Sequence, residues 1–343
     1  MRYALTALVA ILLVASCTAG AGRGTSSEEG RALYFDVLND STVAVVNPYS
    51  SKRDTLTGGS MSRFVLMSGS YLAALDRIGC SEMVLGMSGK KYVSNPYVKE
   101  HAIEVGYDSN LNYEAVVKLA PDLLVGYSLS PEEPAYCSIL RSLGVKTLII
   151  SDQLEEDPLA RAEYVRLFGA LTGRLHEADS AYGAIASRYN ELKKMVKDAA
   201  PVKVLINVPY GDAWYIPGEN SYMSQLIRDA GGMILGSREG RSESSLISVE
   251  QAYALSMEAD CWLNVGWAYT LGQLRGLNPL FGDFPVIHKK VYNNTLRTTP
   301  EGGNDFWESG SSRPDLILED LIRIFHPSVL PEGSLKYYIE VKD

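Results

Sequence analysis

The chain has 343 residues, 46% of them hydrophobic and 21% charged, with a formal net charge of −9. That length and apolar content support a sizeable core and about two domains. The acidic balance argues against a nucleic-acid surface, which needs concentrated Lys and Arg.

The N-terminus carries one early positive charge, Arg2, then an apolar run from Ala4 to Val14. The run has signal-peptide length and is too short to span a bilayer as a mature helix. It ends in "LVASC", Leu13 to Cys17, which resembles a bacterial lipobox. The resemblance implies cleavage before Cys17, acylation of that residue, and attachment to membrane through the lipid alone. "TAGAGRGTSSEEG" follows, polar and glycine-rich, and reads as a flexible tether.

"ALYFDVLNDSTVAVVNPY" (Ala32 to Tyr49) has two β-rich runs around Asn39-Asp40-Ser41, the pattern of a hairpin. A strand–helix succession comes next. "RFVLMS", "MVLGMS", "DLLVGY" and "KTLIIS" read as short buried strands. "YLAALDRIG", "YEAVVKLA" and "AYCSILRSLG" read as helices between them. This rhythm predicts a parallel sheet covered by helices. Leu159 to Leu171 and Arg174 to Ala199 then read as helices. The second would be about 26 residues, or about 39 Å, long. Its stripe is Ala181, Ile185, Tyr189, Leu192 and Val196, and Pro201 stops it. After Pro201 the rhythm resumes, with "KVLINV" and "CWLNVGW" as strands and "SYMSQLIRDAGG", "SVEQAYALS" and "RPDLILEDLIRIFHP" as helices.

The predicted class is therefore α/β: two lobes with mainly parallel sheets, joined by one long helix, plus the N-terminal hairpin. The expected boundaries are a signal peptide at 1–16 and a tether at 17–30. The N-terminal lobe spans 31–158, with its hairpin at 32–49. A helical connector at 159–200, a C-terminal lobe at 201–330 and a tail at 331–343 complete the chain. The lobes echo one another. "YEAVVKLAPDLLVGY" and "VEQAYALSMEADCWLNVGW" each place an acid early (Glu114, Glu250) and a leucine five residues on (Leu119, Leu255). An aspartate (Asp122, Asp260) and an apolar strand ending in Gly-aromatic follow in both.

"DSNLNYEAVVKLAPDLLVG", "YIPGENSYMSQLIRDAGG" and "NDFWESGSSRPDLILEDLIRIFHP" together resemble the substrate-binding proteins of ABC importers for iron chelates, haem and corrinoids. The resemblance covers roughly Arg63 to Pro327. It implies a metal chelate as ligand (a ferric siderophore, cobalamin or haem), no catalytic cofactor, and an ABC permease as partner. It also implies that one exposed glutamate per lobe docks on the permease, at positions matching Glu114 and Glu250. Asn112 is the expected N-cap before Glu114, and Ser248 with Gln251 the expected capping box around Glu250.

Ligands of open α/β sheets bind beyond the carboxyl ends of the strands. The loops there are rich in Tyr and Trp, which can enclose a bulky, partly apolar chelate. The candidate ligand residues are Tyr71, Tyr92, Tyr107, Tyr127, Trp214, Trp267, Trp307 and Arg297, with Tyr71 the first candidate for direct metal ligation. Lys90, Lys91 and Arg297 are the cations that could meet an anionic chelate. His101, His176, His288 and His326 show no paired ligand spacing, so no bare-metal site is expected. Cys80, Cys137 and Cys261 are far apart and lack C-x-x-C spacing, which leaves a disulfide open and buried thiols the default. The sequence has no G-x-S-x-G, P-loop, G-x-G-x-x-G or H-E-x-x-H motif, so no catalytic residue is assigned. Two alternatives stay open: a secreted lipoprotein enzyme acting on a cell-envelope substrate, and a surface lipoprotein that binds another protein.

Overall fold

The structure, a computed structural model, describes residues 34–39, 42–47, 52–129 and 132–343. The signal segment, Cys17 and the tether lie outside the described residues, as do Asp40 and Ser41 of the hairpin turn. The expected hairpin is two strands of a three-stranded antiparallel sheet: β1 (Tyr34–Asn39), β2 (Thr42–Asn47) and β3 (Lys52–Thr57). The third strand, "KRDTLT", is polar and escapes a search for apolar runs. It pairs in full register with β2, from Thr42 opposite Thr57 to Asn47 opposite Lys52. Phe35, Val43 and Val45 point into the core of the N lobe.

That lobe is built on a five-stranded sheet. Its strands are β4 (Phe64–Leu66), β5 (Val84–Met87), β6 (Ile103–Glu104), β7 (Leu123–Tyr127) and β8 (Thr147–Ile150). Their order is β6-β5-β4-β7-β8, parallel throughout. Helices α1 (Gly69–Arg77), α2 (Pro96–His101), α3 (Tyr113–Leu119) and α4 (Ala135–Ser142) connect them. Apolar residues run without a break along β4 because both faces are covered. Alternation sends Phe64 and Leu66 into one core and Val65 and Met67 into another.

The connector differs in detail from the expectation. Its first helix is two, α5 (Pro158–Ala162) and α6 (Tyr164–Thr172). They meet at a tightened turn where the Arg166 N–H reaches back three residues to the Glu163 carbonyl at 2.8 Å. The long helix α7 runs Leu175–Met195, 21 residues. That is about 32 Å. Gly173, with φ of 74°, ends α6 and permits the turn between them. Ala178, Ile185, Tyr189 and Leu192 form the buried stripe of α7, while Ala181 is only half-buried. Tyr189 and Leu192 join the C-lobe core and Ala178 the N-lobe core, so α7 is packed at both ends by different lobes.

The C lobe comprises β9 (Val202–Ile206), β10 (Trp214–Ile216), α8 (Tyr222–Asp229), β11 (Gly232–Ile234), β12 (Ser245–Ile247), α9 (Val249–Glu258) and β13 (Cys261–Leu263). It continues with α10 (Leu271–Leu277), β14 (Lys290–Asn293), α11 (Pro314–Phe325) and β15 (Ile339–Glu340). The main sheet is ordered β11-β9-β13-β14-β15, parallel except for the antiparallel edge strand β15. β10 and β12 form a separate antiparallel ribbon. The stretch expected as a tail from 331 is therefore structural. β15 closes the sheet, and Tyr337 and Tyr338 are fully buried. The physical reason is Asp320 on α11, whose carboxylate accepts the N–H groups of Lys336, Tyr337 and Tyr338 at 2.7–3.1 Å. Cys80, Cys137 and Cys261 are buried and free. No helix among the described residues is long and apolar enough to cross a membrane.

Candidate ligand-binding site

The carboxyl ends of β4, β5, β6 and β7 define the N-lobe wall. Tyr71, in the first turn of α1, does not reach it. Its position in the helix stripe turns the ring onto the sheet, where it is buried against Phe168 with centroids 6.2 Å apart. Its hydroxyl lies 3.1 Å from the Ile150 carbonyl and 3.3 Å from that of Gly126. Burial, reinforced by the Asp152 charge, raises its phenol well above the ordinary range. Tyr71 is thus a core residue and no ligand to a metal in the cleft. Tyr92 and Tyr107 do converge. They flank Gly89, whose φ of 63° leaves a bare backbone between them; a β-carbon there would lie 3.3 Å from the Tyr107 ring and 3.4 Å from Tyr92. Both rings are exposed. Tyr127 ends β7 half-buried, with its phenol raised by burial and by nearby Asp108. Lys90 donates to the Ala102 carbonyl at 2.7 Å, and the Lys91 ammonium stands 4.7 Å above the Tyr92 ring.

On the C lobe, Trp214 is also withdrawn. The pleat of β10 turns Trp214 and Ile216 inward and Tyr215 outward. Trp214 stacks on Trp262 and Phe284 at 6.0 and 6.2 Å, and its indole N–H donates to the Ile206 carbonyl at 3.0 Å. Trp267 and Trp307 stand out, 57% and 52% exposed. Arg297 is held by Asp305 at 2.7 Å and lies 5.4 Å from the Tyr337 ring centre. Three exposed rings near the same edge escape the sequence reading: Tyr210, at 87% exposure, Tyr215 and Tyr269. A signal for Tyr210 exists. β9 and β13 are neighbours, with Ile206 opposite Leu263. Each strand is followed by an asparagine in the left-handed region, Asn207 at φ 66° and Asn264 at φ 58°. Each asparagine is followed three residues later by an aromatic: "INVPY" gives Tyr210 and "LNVGW" gives Trp267. Asparagine tolerates that backbone better than other non-glycine residues.

The lobes meet through 92–99 and 301–308, where Lys99 pairs with Glu301 at 2.6 Å. The periplasmic binding protein family model matches residues 65–290 of this sequence, which takes in most of the N-lobe sheet, the connector and the C-lobe strands β9 to β13. The chain belongs to that family. Among similar proteins is an uncharacterized lipoprotein of Methanocaldococcus jannaschii, 26% identical, with 82% of this chain and 70% of the relative aligned. Another is a cobalamin-binding protein of Halobacterium salinarum, 24% identical over 67% of this chain and 60% of the relative. A periplasmic heme-binding protein from Pseudomonas aeruginosa has a similar solved fold, with a TM-score of 0.63 at 20% identity over 82% of this chain and 99% of that one.

In this periplasmic binding protein, Glu114 and Glu250 occupy matching places. Each is exposed in the first turn of the helix that feeds a central strand, α3 into β7 and α9 into β13. Such a helix runs back along its sheet, so both carboxylates stand toward the carboxyl ends of the strands. Asn112 caps α3 by accepting the Ala115 N–H at 3.0 Å. Ser248 and Gln251 make the reciprocal box at 3.2 and 2.8 Å. The Ser248 hydroxyl holds the Glu250 carboxyl below its ordinary range. Among the described residues no group of His, Cys, Asp and Glu is arranged to hold a metal ion.

Proposed function

We propose that the protein is a lipid-anchored solute-binding protein that captures a metal chelate outside the cytoplasmic membrane and delivers it to an ABC permease. The observation that carries this reading is the pairing of exposed aromatics on both strand-end edges: Tyr92 and Tyr107 on one lobe, Tyr210 and Trp267 on the other. Such rings enclose a broad, partly apolar coordination compound while their hydroxyl and indole groups bind its rim. Trp307 adds a ring from the segment that touches the N lobe. No covalent step is involved, and Cys17 supplies the lipid attachment.

Charge narrows the ligand. Of the three expected cations, Arg297 is neutralised by Asp305, while Lys90, bonded only to a carbonyl, and Lys91 keep their charge. A strongly anionic ferric siderophore would find little to neutralise it; a corrinoid needs less. The cobalamin-binding relative agrees with this ordering. The test is tryptophan quenching of the acyl-free protein against cobalamin, haem and ferric siderophores. Cobalamin is expected to bind most tightly and to be recovered unchanged. Turnover of the compound would instead favour an enzyme, and failure of every chelate would favour a protein-binding lipoprotein. Loss of lipid labelling in Cys17→Ala would support the anchor, and unchanged labelling would reject it.

A further inference from the structure

Glu308 belongs to the C lobe, in the segment between β14 and α11, yet its buried side chain rests against the N lobe, at Ser94 and Gly69. Its Oε2 accepts the Ser94 N–H at 2.7 Å. A β-carbon at Gly69, the first residue of α1, would sit 3.5 Å from the Glu308 Cγ. Two further contacts run beside it. Lys99 pairs with Glu301, and Gly303 lies so close that a β-carbon there would fall 1.8 Å from the Tyr92 carbonyl oxygen. Residues 301–308 are thus a strap drawn across the loop that also carries Tyr92.

Most charged groups around Glu308 are otherwise engaged. On its own segment Asp305 is paired with Arg297, and Arg313 with Asp315. On the facing loop Lys90 bonds a carbonyl, Lys91 stands over Tyr92, and Lys99 holds Glu301. On α1, Asp76 accepts from Asn95 at 2.8 Å, and Arg77 lies in the last turn. On α5, Arg161 is paired with Asp152. Among the described residues no Lys or Arg forms an ion pair with Glu308. We propose that Glu308 is the positioning residue that fastens this strap to the N lobe and sets the spacing of the lobes, and that a proton on its carboxyl tightens the fastening.

Burial pushes this carboxyl up to about 7, against the opposing N–H groups of Ser94 and Asn95 and with a contribution from the Asp305 charge. Released into water it would titrate near the ordinary ~4.3. The fastened form therefore holds its proton more tightly. Fastening strengthens as pH falls through about 7 and weakens as pH rises. The fastened-to-released ratio should grow about tenfold between pH 8 and pH 6. The proposal goes beyond the ligand reading, because lobe spacing can be measured without ligand.

The experiment is a pair of spin labels at Lys118→Cys and Met257→Cys, one per lobe, in the full chain with Cys17→Ala, read as a distance distribution at pH 6 and pH 8. The wild-type distribution should narrow toward the short distance at pH 6. Glu308→Gln, which is uncharged and nearly the same shape, should be narrow at both pH values. Glu308→Ala should be broad at both. A Glu308→Gln protein that keeps the wild-type pH response would overturn the proposal. So would a Glu308→Ala protein with the wild-type distribution at pH 6.

Discussion

In the N lobe, the Asp122 carboxylate accepts the Arg63 N–H at 3.1 Å, and the Asp122 N–H returns to the Arg63 carbonyl at 2.8 Å. In the C lobe, Asp260 makes the same exchange with Lys203, at 3.0 and 2.8 Å. Each exchange aligns the starts of the two central strands, β4 with β7 and β9 with β13. The lobes share this device and the glutamate-bearing helix before it. They part company at the strand ends. β7 runs on into Tyr127, half-buried, whereas β13 stops at Leu263 and Asn264 turns the chain so that Trp267 is exposed. The lesson is that the amino-terminal ends of the strands carry the common architecture, and the carboxyl ends carry what differs between the lobes.

The largest test of that equivalence is reversal of both glutamates. Glu114→Arg with Glu250→Arg should abolish uptake of the chelate by cells while leaving ligand affinity unchanged; normal uptake would refute the docking role. Trp214→Ala probes the buried side of the second lobe. It should cost about 3–5 kcal/mol in denaturant unfolding, the usual cost of emptying a large aromatic site. Trp267→Ala and Tyr210→Ala probe the exposed side. Each should weaken ligand binding about tenfold, ~1.4 kcal/mol, with the unfolding midpoint nearly unmoved. The smallest effect separates the two aspartates. Asp122 is half-buried and takes a second N–H, from Ser62 at 2.9 Å, while Asp260 is exposed. Asp122→Ala should cost about 1–3 kcal/mol of stability and Asp260→Ala less. Equal losses would mean that solvent does not replace the missing acceptor at Asp260.

Much of the fold is legible in local pattern. Short apolar runs locate β4, β5, β7, β8, β9 and β13, and the capping residues Asn112 and Ser248 mark helix starts that the structure retains. The misses have identifiable causes. β3 has one apolar residue, Leu56, among five polar ones, too few to give an apolar signal. The last strand, β15, is two residues long and depends on Asp320, sixteen or more residues earlier, to hold it down. At the site, composition brings out the aromatics but not their direction. Tyr71 and Trp214 carry the same side-chain chemistry as Tyr92 and Trp267, and differ only in which way the backbone turns them.

By itself the amino-acid order determines the alternation of strands and helices, the rod between the lobes and the acids at helix starts, because these follow from periodicity and capping within a few residues. Only the tertiary structure decides which rings stay exposed, which cations are paired, and that Glu308 of one lobe bonds to the other. Those outcomes depend on packing and desolvation by residues distant in the chain, and no local pattern encodes how much water a side chain loses.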